Sequence, residues 1–271
     1  MKLSVREVQE FQETIWEHYR TAGRYDLPWR LPEVDGSYDL YKIFVSELML
    51  QQTQVARVIP KFQVFLAQFP TAASLAAAKL GDVLRAWQGL GYNRRAKFLW
   101  QAVQQLQQSR VAPNTAEELI KLPGVGENTA GALVAYVYNQ PSVFVETNIR
   151  TAYIYHFTRD GQIVSDNFIR DLVSQTLDHE HPREWYWALM DYGAWLKTQV
   201  RNVSQSKTYT KQSAFHGSKR QVRGVIVRLL SAGPMTKKAL EKNVVDTRLE
   251  AVLDELVSEG LVRHKANTYS L

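Results

Sequence analysis

Two acidic side chains and a glycine hairpin carry most of the chemistry that this 271-residue sequence offers. Glu47 follows Phe44 and Ile43 by three and four residues, in a helix-period run whose apolar positions include Leu40, Leu48, Val55 and Ile59. That spacing is one helical turn, so the Glu47 carboxyl sits on or beside an apolar seam. A carboxylate there is costly unless it has a partner or a purpose. A seam-edge glutamate reaching water is the plain reading; an acid whose pKa is raised for proton transfer is the other. Gln51, Gln52 and Gln54 follow, amides that suit a ligand-bonding surface but are also ordinary helix formers. The second acid, Glu146, stands two residues before Asn148 in QPSVFVETN.

Between the two acids lies Leu122-Pro123-Gly124-Val125-Gly126, followed by a helix-period run with Ala130, Leu133, Val134 and Val137 on one side. Gly124 and Gly126 can take positive φ and let backbone approach another surface closely. The helix that opens there presents free N–H groups and the positive end of its dipole, with Asn128 and Thr129 in its first turn, ready for a phosphate. An ordinary helix-to-helix turn would use the same residues. A second loop, Trp87-Gln88-Gly89-Leu90-Gly91-Tyr92-Asn93-Arg94-Arg95, combines glycines, an aromatic and paired arginines. It suits a backbone clamp with a stacking wedge, Tyr92 beside Arg94 and Arg95. The plain alternative is a connector with solvated arginines.

Positioning these groups requires a largely helical scaffold. Apolar periodicity predicts helices over 3–20, 40–59, 61–68, 72–78, 81–88, 95–108, 115–121, 127–138, 149–157, 167–177 and 183–197, with few strand patterns. The main domain is therefore all-α, spanning 1–198. Residues 199–218 read as a basic, polar linker. Residues 219–271 read as a winged-helix-like domain, with helices over 220–230, 236–243 and 246–259 and a terminal hairpin. Its third helix holds Asp246, Glu250, Asp254, Glu255 and Glu259 against one Arg248. So acidic a helix is a poor reader of a DNA groove. Lys237, Lys238, Arg263 and Lys265 are better DNA candidates, and docking on a protein partner stands beside that reading.

The net charge of +6 is uneven. Residues 1–196 hold 19 Lys/Arg and 21 Asp/Glu, a balance of −2, so the basic surplus lies wholly beyond them. A basic surplus favours a polyanion partner, with simple solubility as the alternative. The sequence has no cysteine, which excludes disulfides, thiolate nucleophiles and cysteine-held zinc or iron–sulfur clusters. No run approaches a membrane span, and MKLSVREVQE has no apolar signal core. The expectation is a cytoplasmic protein, bacterial or archaeal, working with the nucleoid and not at a membrane.

Taken together, the blocks LPWR (27–30), SELMLQQTQVARVIPKF (46–62), WQGLGYNRRAKFL (87–99) and LPGVGENTAGA (122–132) resemble the helix-hairpin-helix DNA glycosylases, and most closely their MutY-type adenine branch. The resemblance covers roughly residues 25–195. It implies a helix-hairpin-helix glycosylase fold and a base-excision repair enzyme acting on double-stranded DNA that carries a mismatch or damaged base. The implied substrate is adenine opposite 8-oxoguanine or guanine. Thymine or uracil opposite guanine, or a non-cleaving lesion binder, are the alternatives. A base inside a duplex is out of reach, so such an enzyme flips it into a pocket. Breaking the N-glycosidic bond needs a proton on the leaving purine and negative charge near the developing oxocarbenium ion, which two carboxylates in different environments can supply. The resemblance assigns the first role to Glu47. It puts Glu146 and Asn148 at the sugar, and Gln52 and Tyr92 in the stack. Gln51, Arg94, Arg95, Leu122, Gly124, Val125, Gly126, Asn128 and Thr129 become DNA contacts.

This chain departs from the family in three respects, and one further position separates it from the bifunctional relatives. Glu146 stands where the family has aspartate, and the extra methylene moves the carboxylate by about 1 Å, a shift that can cost on the order of 10²-fold in rate. The family's four cluster cysteines are missing, and a cysteine-free basic segment occupies that region. The resemblance therefore implies no iron–sulfur cluster and no other cofactor, leaving room only for a monovalent cation at the hairpin. The usual Nudix-like C-terminal domain is replaced by the short unit at 219–271. Bifunctional relatives carry a lysine nucleophile where Asn128 stands, so without that amine a monofunctional enzyme is expected.

Overall fold

The computed structural model describes residues 1–109, 111–200, 202–208 and 214–271. Its helices in chain order are α1 (Val5–Ala22), α2 (Leu40–Leu50), α3 (Val55–Gln68), α4 (Ala72–Ala77), α5 (Leu80–Ala86), α6 (Arg94–Gln108), α7 (Ala116–Leu119), α8 (Glu127–Tyr138), α9 (Thr147–Phe157), α10 (Asp166–Thr176), α11 (Pro182–Gln199), α12 (Lys219–Ala232), α13 (Lys237–Asn243) and α14 (Leu249–Ser258). Short strands β1 (Met235–Thr236), β2 (Arg263–Lys265) and β3 (Thr268–Ser270) form one antiparallel sheet in the order β1-β3-β2. Among the described residues, no helix is long and apolar enough to cross a membrane.

Several helix starts are set by side chains. Ser4 and Glu7 form a reciprocal capping box at α1, and Thr115 and Glu118 form another at α7. Ser165 and Ser218 cap α10 and α12. The predicted single helix over 40–59 is broken at residues 51–54, which is a correction. The break is made from a distance. The Arg95 guanidinium donates to the carbonyls of Leu48 (2.5 Å), Met49 (3.2 Å) and Gln51 (2.5 Å). The carbonyls of Leu48 and Met49 belong to the last turn of α2, where intrahelical partners run out, while that of Gln51 also accepts from Thr53 Oγ1 (3.3 Å). With them satisfied, the chain turns through Gln52 at φ 56° and restarts as α3.

The chain forms two compact units, one of Met1–Ile43 and Pro113–Lys211, the other of Phe44–Ala112 and Gln212–Leu271. This differs from the expected boundaries at 198 and 219, because the C-terminal module shares a unit with residues 44–112. The expected linker is also packed in its first part. Asn202 donates to the Thr151 carbonyl (3.0 Å), and Val164 exchanges backbone bonds with Gln205 (2.8 Å) and Lys207 (2.9 Å). Linker residues 201 and 209–213 lie outside the described ones.

In the first unit α11 is the central helix. Trp185 is fully buried, with Phe11 of α1 edge-on at 6.0 Å and Trp16 at 5.7 Å. Asp191 is buried on the same helix and accepts from both Nη atoms of Arg30 (2.8 Å each) and from Arg24 Nε (2.7 Å). Burial pushes its pKa up, but the two arginines hold it below the usual carboxylate range. This pair gives the LPWR block a structural reason: Arg30 anchors the 24–31 loop on α11, and Trp29 is buried.

In the second unit Phe65 of α3 meets Trp87 edge-on at 5.7 Å. The C-terminal module packs on α5, where a Cβ added at Gly81 would lie 3.3 Å from Leu271 Cβ. The acidic character of α14 is also accounted for within this unit. Glu255 pairs with Lys219 and Arg223, Glu259 with Arg223 (2.5 Å), and Glu250 with Lys237 (2.5 Å). Three of the five acids that spoil this helix as a groove reader, Glu250, Glu255 and Glu259, thus pair with cations of α12 and α13, and Asp246 pairs with Arg248. Lys237 is thereby committed to Glu250, while Lys238, Arg263 and Lys265 are exposed.

Candidate active site

The candidate residues fall into two groups, one in each unit. In the first unit, the hairpin turns through Gly124 at φ 78°, with Val125 N–H bonded to Leu122 C=O (3.1 Å). Positive φ there suits glycine, as expected. Gly126 is different: it is extended (φ −98°, ψ 177°) and serves as the N-cap of α8. A Cβ added to Gly126 would meet nothing within 4 Å, so the site is open space, and no side chain caps the helix. The first N–H groups of α8 therefore have no side-chain acceptor at the cap. Leu122 and Val125 bury their side chains, leaving only backbone for any ligand.

Asn128 has another task than the expected DNA contact. Its Nδ2 donates to Val145 C=O (2.9 Å) and its Oδ1 accepts from Val145 N–H (3.2 Å), as a neighbouring strand would. Arg170 adds donations to Asn128 Oδ1 (2.8 Å) and Val143 C=O (3.0 Å). With its amide so engaged, Asn128 is a strut for the extended approach to Glu146. Phe144 fixes the same approach by stacking on Tyr186 at 4.0 Å. Gly131 lets the approach come close, since a Cβ there would lie 2.9 Å from Ser142 Oγ.

Glu146 is the N-cap residue of α9, yet its side chain makes no capping bond. Burial raises its pKa, opposed by the charges of Lys197 and Arg150. Asn148 Nδ2 donates to Met190 C=O (3.1 Å), and its Oδ1 accepts from Lys197 Nζ (2.5 Å). Helices α9 and α11 touch closely at this point: a Cβ on Gly193 would fall 2.1 Å from Asn148 O, so only glycine fits. Lys197 was missed in the sequence. Its signal was present, since it is the first cation of the acid-free stretch and ends the MDYGAWLK run.

Removing Lys197 has a definite expected sign. A raised carboxyl pKa means that Glu146 loses its charge at a higher pH than an ordinary glutamate does. The Lys197 charge pulls that pKa down, so Lys197→Met should move the acid limb of the pH–rate profile to higher pH. A limb that does not move would show that Glu146 does not feel Lys197 during the reaction.

In the second unit, Glu47 is part-exposed on α2 between fully buried Ser46 and Leu48. Gln51 and Gln52 are exposed in the turn after it. Tyr92 is 38% exposed and has φ 47°. Both residues expected in the stack, Gln52 and Tyr92, thus adopt left-handed backbone, which non-glycine residues rarely do and which clusters at functional sites. Arg94 is exposed and lies over Phe98 at 5.4 Å. Arg95 is corrected: it is buried, and besides the α2 carbonyls it bonds Leu90 C=O (3.2 Å) and Gly91 C=O (3.1 Å). Both of its Nη groups are engaged by protein, while Nε has no partner among the described residues, so buried Arg95 shapes the 87–95 loop from within. Burial pulls its pKa down to about 10, still a cation at neutral pH.

Residues 45–174 match the model of the HhH-GPD superfamily of base excision DNA repair proteins. The chain is 34% identical over 270 residues to the adenine DNA glycosylase of Mycobacterium tuberculosis (strain H37Rv), covering 90% of this chain and 87% of that one. The chain belongs to the HhH-GPD superfamily. Its identity to the adenine DNA glycosylase of Buchnera aphidicola (subspecies Baizongia pistaciae) is also 34%, over 68% of this chain and 52% of the relative. The solved structure of a thermostable thymine-DNA glycosylase shares the fold at a TM-score of 0.59 and 20% identity, covering 70% of this chain and 87% of that one. Among the described residues of this HhH-GPD chain, no group of three or more His, Asp or Glu side chains is arranged to hold a metal ion.

Proposed function

We propose that this chain is a monofunctional adenine DNA glycosylase, removing adenine mispaired with 8-oxoguanine or guanine. The observation that carries the reading is Glu146. It is a carboxyl at a helix start with no capping bond, its pKa raised by burial, beside an Asn148 that Lys197 and Met190 C=O hold in place. Lys197 and Arg150 give the Glu146 carboxylate charge partners, and a carboxylate held in this way, with no cap to make, can oppose a developing positive charge.

In this reading the open N-terminus of α8 receives a backbone phosphate, and Gln52 and Tyr92 fill the gap left by the flipped adenosine. Glu47 donates a proton to the leaving adenine as the bond from C1′ to the base nitrogen breaks. The bonding electrons leave with the base. Glu146 faces the oxocarbenium ion, water adds at C1′, and the proton lost from that water balances the one given to adenine. The products are free adenine and an abasic site. Asn128 carries no amine, so no Schiff base forms at that position. A cation at the hairpin would be held by backbone carbonyls between Leu122 and Gly126, oxygen donors of the kind a hard cation takes. The Leu122 carbonyl already accepts from Val125 N–H.

The test is a panel of labelled duplexes, each with one mispair: adenine opposite 8-oxoguanine, guanine or thymine, and thymine or uracil opposite guanine. Adenine should be removed opposite 8-oxoguanine or guanine, with strand breaks appearing only after alkali. Removal of thymine or uracil alone, or strand cleavage without alkali, would refute the reading.

A further inference from the structure

The C-terminal module meets the 87–95 loop inside the second unit, and one of its contacts is on Tyr92 itself. Arg220, in the first turn of α12, donates through Nη1 to the Tyr92 hydroxyl (3.1 Å), and its guanidinium lies 6.0 Å from the ring centroid. Arg95 lies 5.3 Å from the same ring. Tyr92 is thus held by two guanidiniums, one from the buried cap of α2 and one from the C-terminal module. Its left-handed backbone sets the direction of the ring, and Arg220 holds the far end of the side chain. Other contacts dock the module without touching Tyr92: Gln88 donates to Ser231 Oγ, and Lys97 to the Glu259 carbonyl. Helix α12 is itself fixed by Lys219 and Arg223 on Glu255 and Glu259.

We infer that Arg220 is a positioning residue that fixes the Tyr92 ring for insertion, so that the C-terminal module helps set which opposite base is accepted. The inference rests on the proposed reading of Tyr92 as a wedge into the base stack. A planar donor is suited to the task. A guanidinium can bond the hydroxyl and lie near the ring at once, whereas an ammonium is a compact point charge on a flexible stem.

The experiment uses the full chain and two duplexes, adenine opposite 8-oxoguanine and adenine opposite guanine, each with 2-aminopurine beside the target. Single-turnover excision and 2-aminopurine fluorescence are read together, the latter reporting disturbance of the stack with or without chemistry. Arg220→Met should change the ratio of excision rates on the two duplexes by about tenfold, the effect of one charge-assisted hydrogen bond, and should change the fluorescence of the bound duplex. Arg220→Lys should restore it only in part. Tyr92→Phe, which keeps the ring and removes the hydroxyl, should reproduce much of the change, and Arg220→Met should add little on top of it. Ser231→Ala and Lys97→Met should leave both readouts at wild-type values. Unchanged ratio and fluorescence in Arg220→Met would overturn the inference. So would the same changes in Ser231→Ala or Lys97→Met, because the effect would then be docking in general. A wild-type protein that excises no adenine would refute the proposed function, while the fluorescence comparison would still decide the role of Arg220.

Discussion

Glu47→Gln should abolish excision while leaving binding to a mismatched duplex largely intact. Glutamine keeps the shape and hydrogen-bonding reach of glutamate but has no carboxyl proton to give. Loss of a general acid typically costs ~10²–10⁴-fold in rate. Glu47 is well placed to show this cleanly. It is part-exposed on α2, so replacing it leaves no cavity, and its neighbours Ser46 and Leu48 do the packing. The check is a pair of measurements on one preparation: the single-turnover rate, and the dissociation constant for the same duplex. A fall in rate matched by a fall in affinity would assign Glu47 to binding, and an active Glu47→Gln enzyme would make it merely structural.

The second large effect belongs to Glu146. Glu146→Gln should lose on the order of 10²–10³-fold, as removal of one preorganised electrostatic group does elsewhere. Its melting temperature at neutral pH should equal or exceed that of the wild type. The reason is the sign of the pKa shift. Burial raises the folded-state pKa of Glu146, so the folded state resists ionising it. Stability tied to such a group is present below the unfolded pKa and is lost as pH rises through the folded pKa. Wherever the side chain is ionised its burial therefore burdens the fold, and the neutral amide removes that burden. Any gain should vanish in acid, where the wild-type side chain is protonated too. Glu146→Asp is the finer comparison. The approach to residue 146 is pinned by Asn128 on Val145 and by Phe144 on Tyr186, so the backbone is not free to advance toward a shorter side chain. Aspartate should be slower by up to about 10²-fold, the cost of a ~1 Å misplacement. An aspartate variant faster than the wild type would mean that the pocket is shaped for the shorter acid.

Much of this architecture could be read from periodicity and start signals. Capping boxes such as Ser4–Glu7 and Thr115–Glu118 announce helices within four residues, and the Gly124 turn announces itself by residue type. What escaped was set by distant partners. The break between α2 and α3 depends on Arg95, more than forty residues later in the chain, taking the last carbonyls of α2. The same contact turns Arg95 from an expected phosphate ligand into an internal cap. Asn128 reads in the sequence as a DNA contact, but its amide pairs with Val145, seventeen residues on. The acids of α14 made no sense along their own helix. They make sense once Lys219 and Arg223 of α12 and Lys237 of α13 face them. Lys197 had a visible charge but no visible target until α11 brought it to Asn148. Local rules set the elements; which polar group meets which is decided by packing that a single sequence does not display.

The most direct test of the account is the release of free adenine, quantified under single turnover from a duplex with adenine opposite 8-oxoguanine, for the wild type and for Glu146→Gln side by side. The wild type should release one free adenine per abasic site, and the glutamine should slow release on the order of 10²-fold or more with the fold intact. No free adenine from the wild type, or release by Glu146→Gln at the wild-type rate, would contradict it.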